Sequence, residues 1–328
     1  SHTQAVADYL KMEKPTKLFV REEHKVQHVL PVIRGLIADM VGPNASMPIL
    51  DVRNGPDQRA FLERTDIDDL AKRGTASPDH VIRIKAKPLV LRKSVWSAGR
   101  DAIKAVIDEY ASQYHAMFDR QAPSADQPKK ILSPDPKTIW MEGIGFIGLG
   151  SNAKAASVAG DLAVQNARVR AIGEDTGGFY PISEKDLFDC EYWSLEQAKL
   201  GKGTPPKMQG RVVLVTGGAG AIGKAIADAF TALGAQCFLV DQDQETLNQT
   251  LKDLGTGHAG LALDVTEQGA ADSAMHACIN TFGGLDILVS NAGAALSGAM
   301  LDVPSDQLRD AFELNFFSHH AFAVEAAK

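Results

Sequence analysis

A glycine-rich turn between an apolar strand and a helix is the feature that most limits how the last third of this chain can fold. Residues 212–215 form a β-branched and aliphatic run that is typical of a buried strand. Glycines follow at positions 218, 220 and 223, and residues 224–233 then have the pattern of an amphipathic helix that ends at Gly234. This order predicts a strand that runs directly into a helix.

The same alternation continues towards the end of the chain. Further strands are predicted at residues 237–240, 260–265 and 285–289, and helices at residues 245–254 and 268–282. Strands that alternate with helices of this length indicate βαβ units and a parallel sheet. We therefore expect the N-terminal half of a Rossmann doubly wound sheet over residues 210–328.

The turn from Gly218 to Gly223 fits the GxGxxG pattern, which permits a tight turn and a close approach of a pyrophosphate to the backbone. The N–H groups at the start of the helix would face the phosphates. Asp241 follows about 20 residues after the turn, where a carboxylate accepts hydrogen bonds from the adenosine ribose and repels a 2′-phosphate. The next residues are Gln242, Asp243 and Gln244, without a nearby lysine or arginine. The sequence therefore predicts NAD as the cofactor in preference to NADP.

Several motifs in this region resemble those of the short-chain dehydrogenase/reductase family. The turn resembles the family's TGxxxGIG, with Ala221 where the family usually has glycine, and the resemblance extends to an Asp-Val pair and an Asn-Ala-Gly segment. The cofactor-binding residues that this resemblance implies are Thr216, Gly217, Gly218, Gly220, Ala221, Ile222, Gly223, Asp241, Asp264, Val265, Asn291, Ala292 and Gly293. Asn315 matches the helix asparagine of the family, which implies a catalytic role in holding a water of the proton relay. The alternative is a helix residue that pairs with local backbone.

The family's catalytic serine and Tyr-x-x-x-Lys pair come after this asparagine helix. The tyrosine transfers a proton, and the lysine lowers its pKa. No tyrosine of this sequence follows the cofactor motifs, since the last is Tyr192. We therefore expect the sequence to be part of a longer enzyme.

The first two hundred residues mix helical and strand patterns. Helices are predicted at residues 27–40, 102–118 and 152–172, short strands at 48–52 and 88–91, a strand followed by a glycine turn at 138–150, and a loop at 119–136. Glycine, proline and lysine dominate residues 201–207, as expected for an exposed connector. We predict a first module over residues 1–200, a linker over 201–209 and the dehydrogenase half over 210–328.

Three stretches of the first module resemble a class II aldolase/adducin-type module, as found fused to a short-chain dehydrogenase in the bifunctional rhamnulose-1-phosphate aldolase/dehydrogenase family. The stretches are residues 73–80, 143–150 and 186–200. The resemblance implies a partial class II aldolase-like α/β region and a function in rhamnose catabolism. It also implies aldol cleavage of a phosphorylated deoxy-sugar to dihydroxyacetone phosphate and lactaldehyde, with oxidoreduction of the aldehyde or a related alcohol.

No metal site is predicted within the sequence. Class II aldolases hold zinc with histidines that include a His-x-His pair, which is absent here, so the resemblance places any zinc in a part of the aldolase upstream of Ser1. His24 and His28 are four residues apart, but their charged neighbours favour a solvated helix face. His80 is either a ligand-binding residue or a loop histidine in a local hydrogen bond. His319 and His320 are expected on or beside the exposed helix.

Composition narrows the partners and the compartment. The net charge of −7 argues against nucleic acid or anionic lipid as the main partner. No apolar run approaches the roughly 20 residues that cross a bilayer, and no signal peptide is visible. The three cysteines (Cys190, Cys237 and Cys278) are widely spaced, which favours core packing in a reducing compartment. We expect a cytoplasmic homo-oligomer that acts on a small aldehyde, alcohol or sugar phosphate.

Two other functions remain open from the sequence. One is a non-catalytic NAD-binding or scaffold module, which a downstream sequence without Tyr-x-x-x-Lys would favour. The other is a sugar-alcohol dehydrogenase whose first region serves only in oligomerisation. Fold alone does not separate these functions.

Overall fold

A computed structural model describes residues 23–42, 46–194, 204–299 and 301–328, with the side chains of residues 23–26 not described. The chain forms two compact units. The first comprises residues up to 150 together with 155–204, and the second comprises 151–154 together with 205–328. The part of the predicted linker at residues 201–203 lies outside the described residues.

The first unit contains a four-stranded mixed sheet. Its strands are β1 (Ile49–Arg53), β2 (Leu89–Leu91), β3 (Thr138–Met141) and β4 (Gly145–Gly150). They lie in the order β1-β4-β3-β2, with antiparallel pairing on both sides of β4 and parallel pairing of β2 with β3. The α-helices described around this sheet are α1 (Glu23–Val41), α2 (Pro56–Leu62), α3 (Ile67–Lys72), α4 (Val81–Ile84), α5 (Lys93–Trp96), α6 (Arg100–Gln121), α7 (Ala153–Thr176) and α8 (Glu184–Glu191).

The alanine-rich face of α7 packs on one side of this sheet. Ala163, Ala167 and Ala171 share a buried cluster with Trp140 and Phe146. A Cβ placed on Gly148 of β4 would lie 2.8 Å from the Cα of Gly160 in α7. Small residues on both elements thus allow the helix backbone to approach the sheet closely.

The prediction of one strand and a glycine turn over residues 138–150 is wrong in its second half. The turn lies between β3 and β4, where Gly143 and Gly145 have φ values of 79° and 152°. Residues 145–150 form a strand although they contain glycines. Glycine is needed at positions 148 and 150 because the backbone of α7 lies too close to them for a side chain.

The second unit contains a parallel sheet in the order β7-β6-β5-β8. Its strands are β5 (Val212–Thr216), β6 (Gln236–Asp241), β7 (Ala259–Ala262) and β8 (Ile287–Val289). The intervening helices are α9 (Ala221–Ala232), α10 (Gln244–Leu254) and α11 (Ala270–Phe282), followed by α12 (Ser305–Phe312), a π-helical turn (Glu313–Phe317) and α13 (Ser318–Ala327). All five residues of β5 are buried, as the apolar run predicts.

The third strand of this sheet ends earlier than predicted. β7 stops at Ala262, so Asp264 and Val265 follow the strand and do not belong to it. The Asp264 carboxylate accepts hydrogen bonds from the backbone N–H and the hydroxyl of Thr266, at 2.9 and 2.7 Å. This local turn competes with continuation of the strand.

Candidate cofactor site

The glycine turn joins β5 to α9 with little space inside it. Gly217 has a φ of 63°, and a Cβ there would lie 3.0 Å from the Cα of Ala292. A Cβ on Gly223 would collide with the carbonyl of Gly217 and lie 2.8 Å from the Cα of Gly218. Glycine is therefore required at both positions by the packing of backbone on backbone.

The N-terminus of α9 opens to solvent at this turn. Gly220 is the N-cap and has extended backbone, and the carbonyl of Gly220 accepts the first helical bond from the N–H of Lys224 at 2.8 Å. Gly220, Ala221 and Ile222 are exposed. The first N–H groups of a helix have no partners within it, so this end can bind an anionic group.

Asp241, at the end of β6, lies against the turn. Its Oδ2 accepts a hydrogen bond from the N–H of Ala219 at 3.0 Å, and its Oδ1 accepts one from the N–H of Asp243 at 3.2 Å. The side chain is half-buried, whereas residues 242–244 are exposed. Asp243 caps α10 by accepting from the N–H groups of Glu245 and Thr246. The edge of the site beside β6 is thus acidic.

Reciprocal hydrogen bonds fix the end of β8 beside the end of β5. The hydroxyl oxygen of Thr216 accepts from the N–H groups of Asn291 and Ala292, at 2.9 and 3.0 Å. The Asn291 side-chain amide donates to the carbonyls of Thr216 and Gly217, at 3.0 and 3.2 Å. These four bonds hold the Asn-Ala-Gly segment against the glycine turn.

Asn315 lies in the π-helical turn and contacts the segment after β8. Its Nδ2 donates to the carbonyls of Ala294 and Ala311, both at 2.9 Å, and its Oδ1 accepts from the N–H of Ala294 at 3.1 Å. A Cβ on Gly293 would lie 2.8 Å from that Oδ1. The side chain thus pairs both with local backbone at Ala311 and with Ala294, 21 residues earlier in the chain. A catalytic role for Asn315 stays a prediction.

His319 contacts the segment after β8. The ring is half-buried, and its Nε2 lies 2.6 Å from the carbonyl oxygen of Ala292. His320, the next residue, is exposed. Both histidines lie on the helix, as expected, but the contact of His319 with Ala292 was not predicted from the sequence.

The structure brings most of the predicted cofactor residues to the carboxyl ends of β5, β6 and β8. These are Thr216, Gly217, Gly218, Gly220, Ala221, Ile222, Gly223, Asp241, Asn291, Ala292 and Gly293. Asp264 and Val265 follow the end of β7, the next strand of the same sheet. Ligands of open parallel sheets bind at this end of the strands.

Comparisons with known proteins assign a family to each unit. Residues 24–200 match the family "Aldolase class II, second domain", and residues 211–328 match the family "short chain dehydrogenase". The chain belongs to the class II aldolase second-domain family and continues into a short-chain dehydrogenase module. The recognised family order and the fold class that the sequence predicts are thereby confirmed.

The relatives of this aldolase–dehydrogenase chain include oxidoreductases. It is 30% identical over 282 residues to the uncharacterized oxidoreductase YuxG of Bacillus subtilis, covering 82% of this chain and 39% of that protein. It is 34% identical over 123 residues to a cis-2,3-dihydrobiphenyl-2,3-diol dehydrogenase of Paraburkholderia xenovorans, covering 37% and 44%. The chain thus spans less than half the length of either relative.

Among solved structures, a glucose/ribitol-type short-chain dehydrogenase/reductase from Brucella melitensis is 28% identical. That alignment covers 36% of this chain and 51% of the other, with a TM-score of 0.35.

The histidines of the first unit do not form a metal centre in the part of the chain that the structure describes. His28 is exposed on α1, and the side chain of His24 is not described. His80 is half-buried, and burial lowers the pKa of its ring. Across the described ranges, no three His, Cys, Asp or Glu side chains are grouped as a metal ion requires. The donor set present does not fit zinc.

None of the helices in the described ranges is long and apolar enough to span a membrane.

Proposed function

We propose that the dehydrogenase module binds NAD and belongs to an NAD-dependent oxidoreductase. The observation that carries this proposal is the Asp241 carboxylate, which the N–H of Ala219 holds at the edge of the glycine turn. A carboxylate there accepts hydrogen bonds from the two ribose hydroxyls and repels a phosphorylated ribose by charge. Asp243 adds a second negative charge nearby.

The residues present fit a dinucleotide. The pyrophosphate would lie over Gly220 and the N–H groups at the start of α9, where a side chain at 217 or 223 would disrupt the turn. Ile222 is 72% exposed beside these groups and offers apolar surface to the ligand. When bound, the nicotinamide would accept or deliver a hydride. Asn291 and Thr216 would hold the end of β8 against the glycine turn, and Asn315 would position the segment after β8.

The fusion of the two modules supports a proposal for the wider function. We propose that the aldolase module cleaves a phosphorylated deoxy-sugar of the rhamnulose-1-phosphate type, and that the oxidoreductase acts on the aldehyde or a related alcohol. In this proposal residues 201–209 link the two modules, zinc is held outside the described residues, and the protein is a cytoplasmic homo-oligomer. No chemical step of the described residues is assigned to zinc.

The cofactor proposal is tested by calorimetric titration of the full chain with NADH and NADPH. We expect NADH to bind at least about tenfold more tightly, equivalent to about 1.4 kcal/mol. Asp241→Ala should remove this preference. Asp241→Asn keeps an oxygen that can accept from Ala219 but loses the charge, so it separates charge repulsion from loop support. An unchanged preference for NADH in Asp241→Ala would show that the carboxylate has been assigned the wrong role.

A further inference from the structure

The first unit contains a cavity that is remote in sequence from the dehydrogenase motifs. Its volume is about 460 Å³, and segments from α3 to β2, from α6 and from α8 line it. Leu89, Val106, Met117 and Phe188 contribute apolar surface, and Lys85 and Glu191 contribute charged groups. This combination of apolar walls with a few polar groups is typical of small-molecule sites.

Lys85 enters this cavity from an unusual backbone conformation. It follows α4 with φ 57° and ψ 170°, and among the described residues it is the one non-glycine residue with a positive φ. Its side chain is only 6% exposed. A strained backbone at a buried charged residue is a feature of functional sites, because the surrounding packing must enforce it.

The Lys85 amine lies within a buried network of acid and phenol groups. Its Nζ is 3.6 Å from the centre of the Tyr114 ring and 3.5 Å from Glu191 Oε1. The Tyr114 hydroxyl donates to the same Glu191 oxygen at 2.8 Å and lies 2.8 Å from the hydroxyl of Tyr192. Tyr192 also accepts from the N–H of Leu132 at 3.2 Å. A proton that leaves the amine therefore has an acceptor next to it.

Burial lowers the pKa of the Lys85 amine, although the Glu191 carboxylate acts in the opposite direction. An ordinary lysine is neutral in about one molecule per thousand at pH 7.4, and each unit by which the pKa falls raises this fraction about tenfold. Only the neutral amine attacks a carbonyl carbon. The exposed Lys72 and Lys87 also line the cavity, together with the acidic Asp68, Glu109 and Glu184, so that the charge at its rim is mixed.

We propose that Lys85 forms an imine with a small aldehyde or ketone that occupies this cavity. Glu191 accepts the proton of the ammonium form, and the free amine nitrogen attacks the carbonyl carbon. The carbonyl π electrons move to oxygen, and the proton that the attacking nitrogen gives up passes to this oxygen to give a carbinolamine. Glu191 then returns its proton to the hydroxyl, which leaves as water while the nitrogen lone pair forms the C=N bond of a protonated imine. The step needs no oxidant and is reversed by hydrolysis. It does not depend on the proposed NAD site.

Reductive trapping tests this reaction in the full chain. The protein is incubated at pH 7.4 with glyceraldehyde 3-phosphate and sodium cyanoborohydride, which reduces an imine to a stable secondary amine. Peptide mass mapping then follows the labelling rate of each lysine. We expect Lys85 to be labelled at least about tenfold faster than the exposed Lys130 and Lys207, because the cavity would hold the aldehyde beside the buried amine.

Labelling of Lys85 at or below the rate of Lys130 and Lys207 would overturn the proposal. Because these comparisons use the unmodified protein, they do not depend on the folding of a variant. Lys85→Gly serves as the matched control, since glycine adopts the positive φ without strain. It should fold and lose the fast label, with the exposed lysines unchanged; a fast label that persisted in this variant would place the reactive amine elsewhere.

Discussion

The side chain of Asn315 pairs with both backbone groups of Ala294, accepting from its N–H at 3.1 Å and donating to its carbonyl at 2.9 Å. This pairing ties the π-helical turn to the segment that leaves the sheet after β8. Asn315 and Ala294 are 21 residues apart in the sequence. A Cβ on the neighbouring Gly293 would lie 2.8 Å from Asn315 Oδ1, so that position has no room for a side chain. A residue identified by resemblance as catalytic therefore also has a structural task.

Asn315→Ala should loosen the segment after β8. The variant leaves the N–H and carbonyl of Ala294 without these partners, and because both residues are exposed to water the cost is about 0.5–1.5 kcal/mol. We expect a lower free energy of unfolding for the second unit and faster amide exchange at Ala294. Asn248→Ala is the matched control, because Asn248 is exposed on α10 and accepts only a local bond from Gln244. Equal losses in the two variants would contradict a specific role for Asn315.

Gly223→Ala should disrupt the glycine turn, whereas Gly220→Ala should be tolerated. The first variant forces a Cβ against the Gly217 carbonyl, and overpacking of this kind costs about 1–3 kcal/mol. The second places its Cβ 3.4 Å from the same oxygen, at an ordinary negative φ. Thermal unfolding of both variants tests this difference. Equal losses of thermal stability in the two variants would show that close backbone packing does not determine the turn.

The sequence predicts the dehydrogenase sheet well because its signals are local. The run at 212–215 and the glycines at 218, 220 and 223 define β5 and the start of α9 without reference to other parts of the chain. The end of β7 was predicted too late, because the side chain of Asp264 forms a turn that an apolar pattern does not reveal. The contact of His319 with Ala292 was not predicted, because the two residues are 27 residues apart in the sequence.

The Lys85 cluster was not predicted because its members are far apart in sequence. Lys85 and Glu191 are separated by 106 residues, and Tyr114 lies 77 residues before Glu191. Neither the sequence around Lys85 nor the sequence around Glu191 has a residue spacing that indicates a catalytic or binding site. Only the packing of α6 and α8 around the segment after α4 brings the amine, the acid and the phenols together.

The second unit should lose stability as the pH falls below about 6.5. The Nδ1 of His258 accepts a hydrogen bond from the N–H of Cys237 at 3.1 Å, and burial lowers the pKa of the ring. The unfolded state therefore takes up a proton at a higher pH than the folded state does. The stabilising contribution of the neutral His258 ring is fully present above the ordinary histidine pKa. It decreases as the pH falls from that value to the pKa of the folded state. Urea midpoints between pH 8 and pH 5 should show this slope.

His258→Asn should flatten that slope, because an amide oxygen can accept from Cys237 but does not titrate in this range. His320→Gln should keep it, since His320 is exposed. A slope of the same size in all three proteins would assign the pH dependence to other groups.

Glycine substitutions in the first unit should have opposite effects. Gly35→Ala should raise the free energy of unfolding by up to about 1 kcal/mol, because Gly35 lies within α1 with no atom within 4 Å of an added Cβ. Gly148→Ala should lower it by about 1–3 kcal/mol, because the added Cβ meets the backbone of α7. Chemical denaturation of the two variants measures both changes. An unchanged free energy of unfolding in Gly148→Ala would show that α7 and β4 can separate at little cost.

The hydrogen bond from the N–H of Ala219 to Asp241 makes the glycine turn a spectroscopic reporter of the nucleotide. Any ligand that engages the carboxylate also perturbs that amide proton, although Ala219 need not touch the ribose. A nucleotide with a free 2′-hydroxyl shares the carboxylate with Ala219, whereas one with a 2′-phosphate pushes the carboxylate away and weakens the bond. The amide resonance of a single backbone group should therefore move in different directions with the two cofactors. Discrimination at the ribose would then be visible from within the turn that is proposed to hold the phosphates.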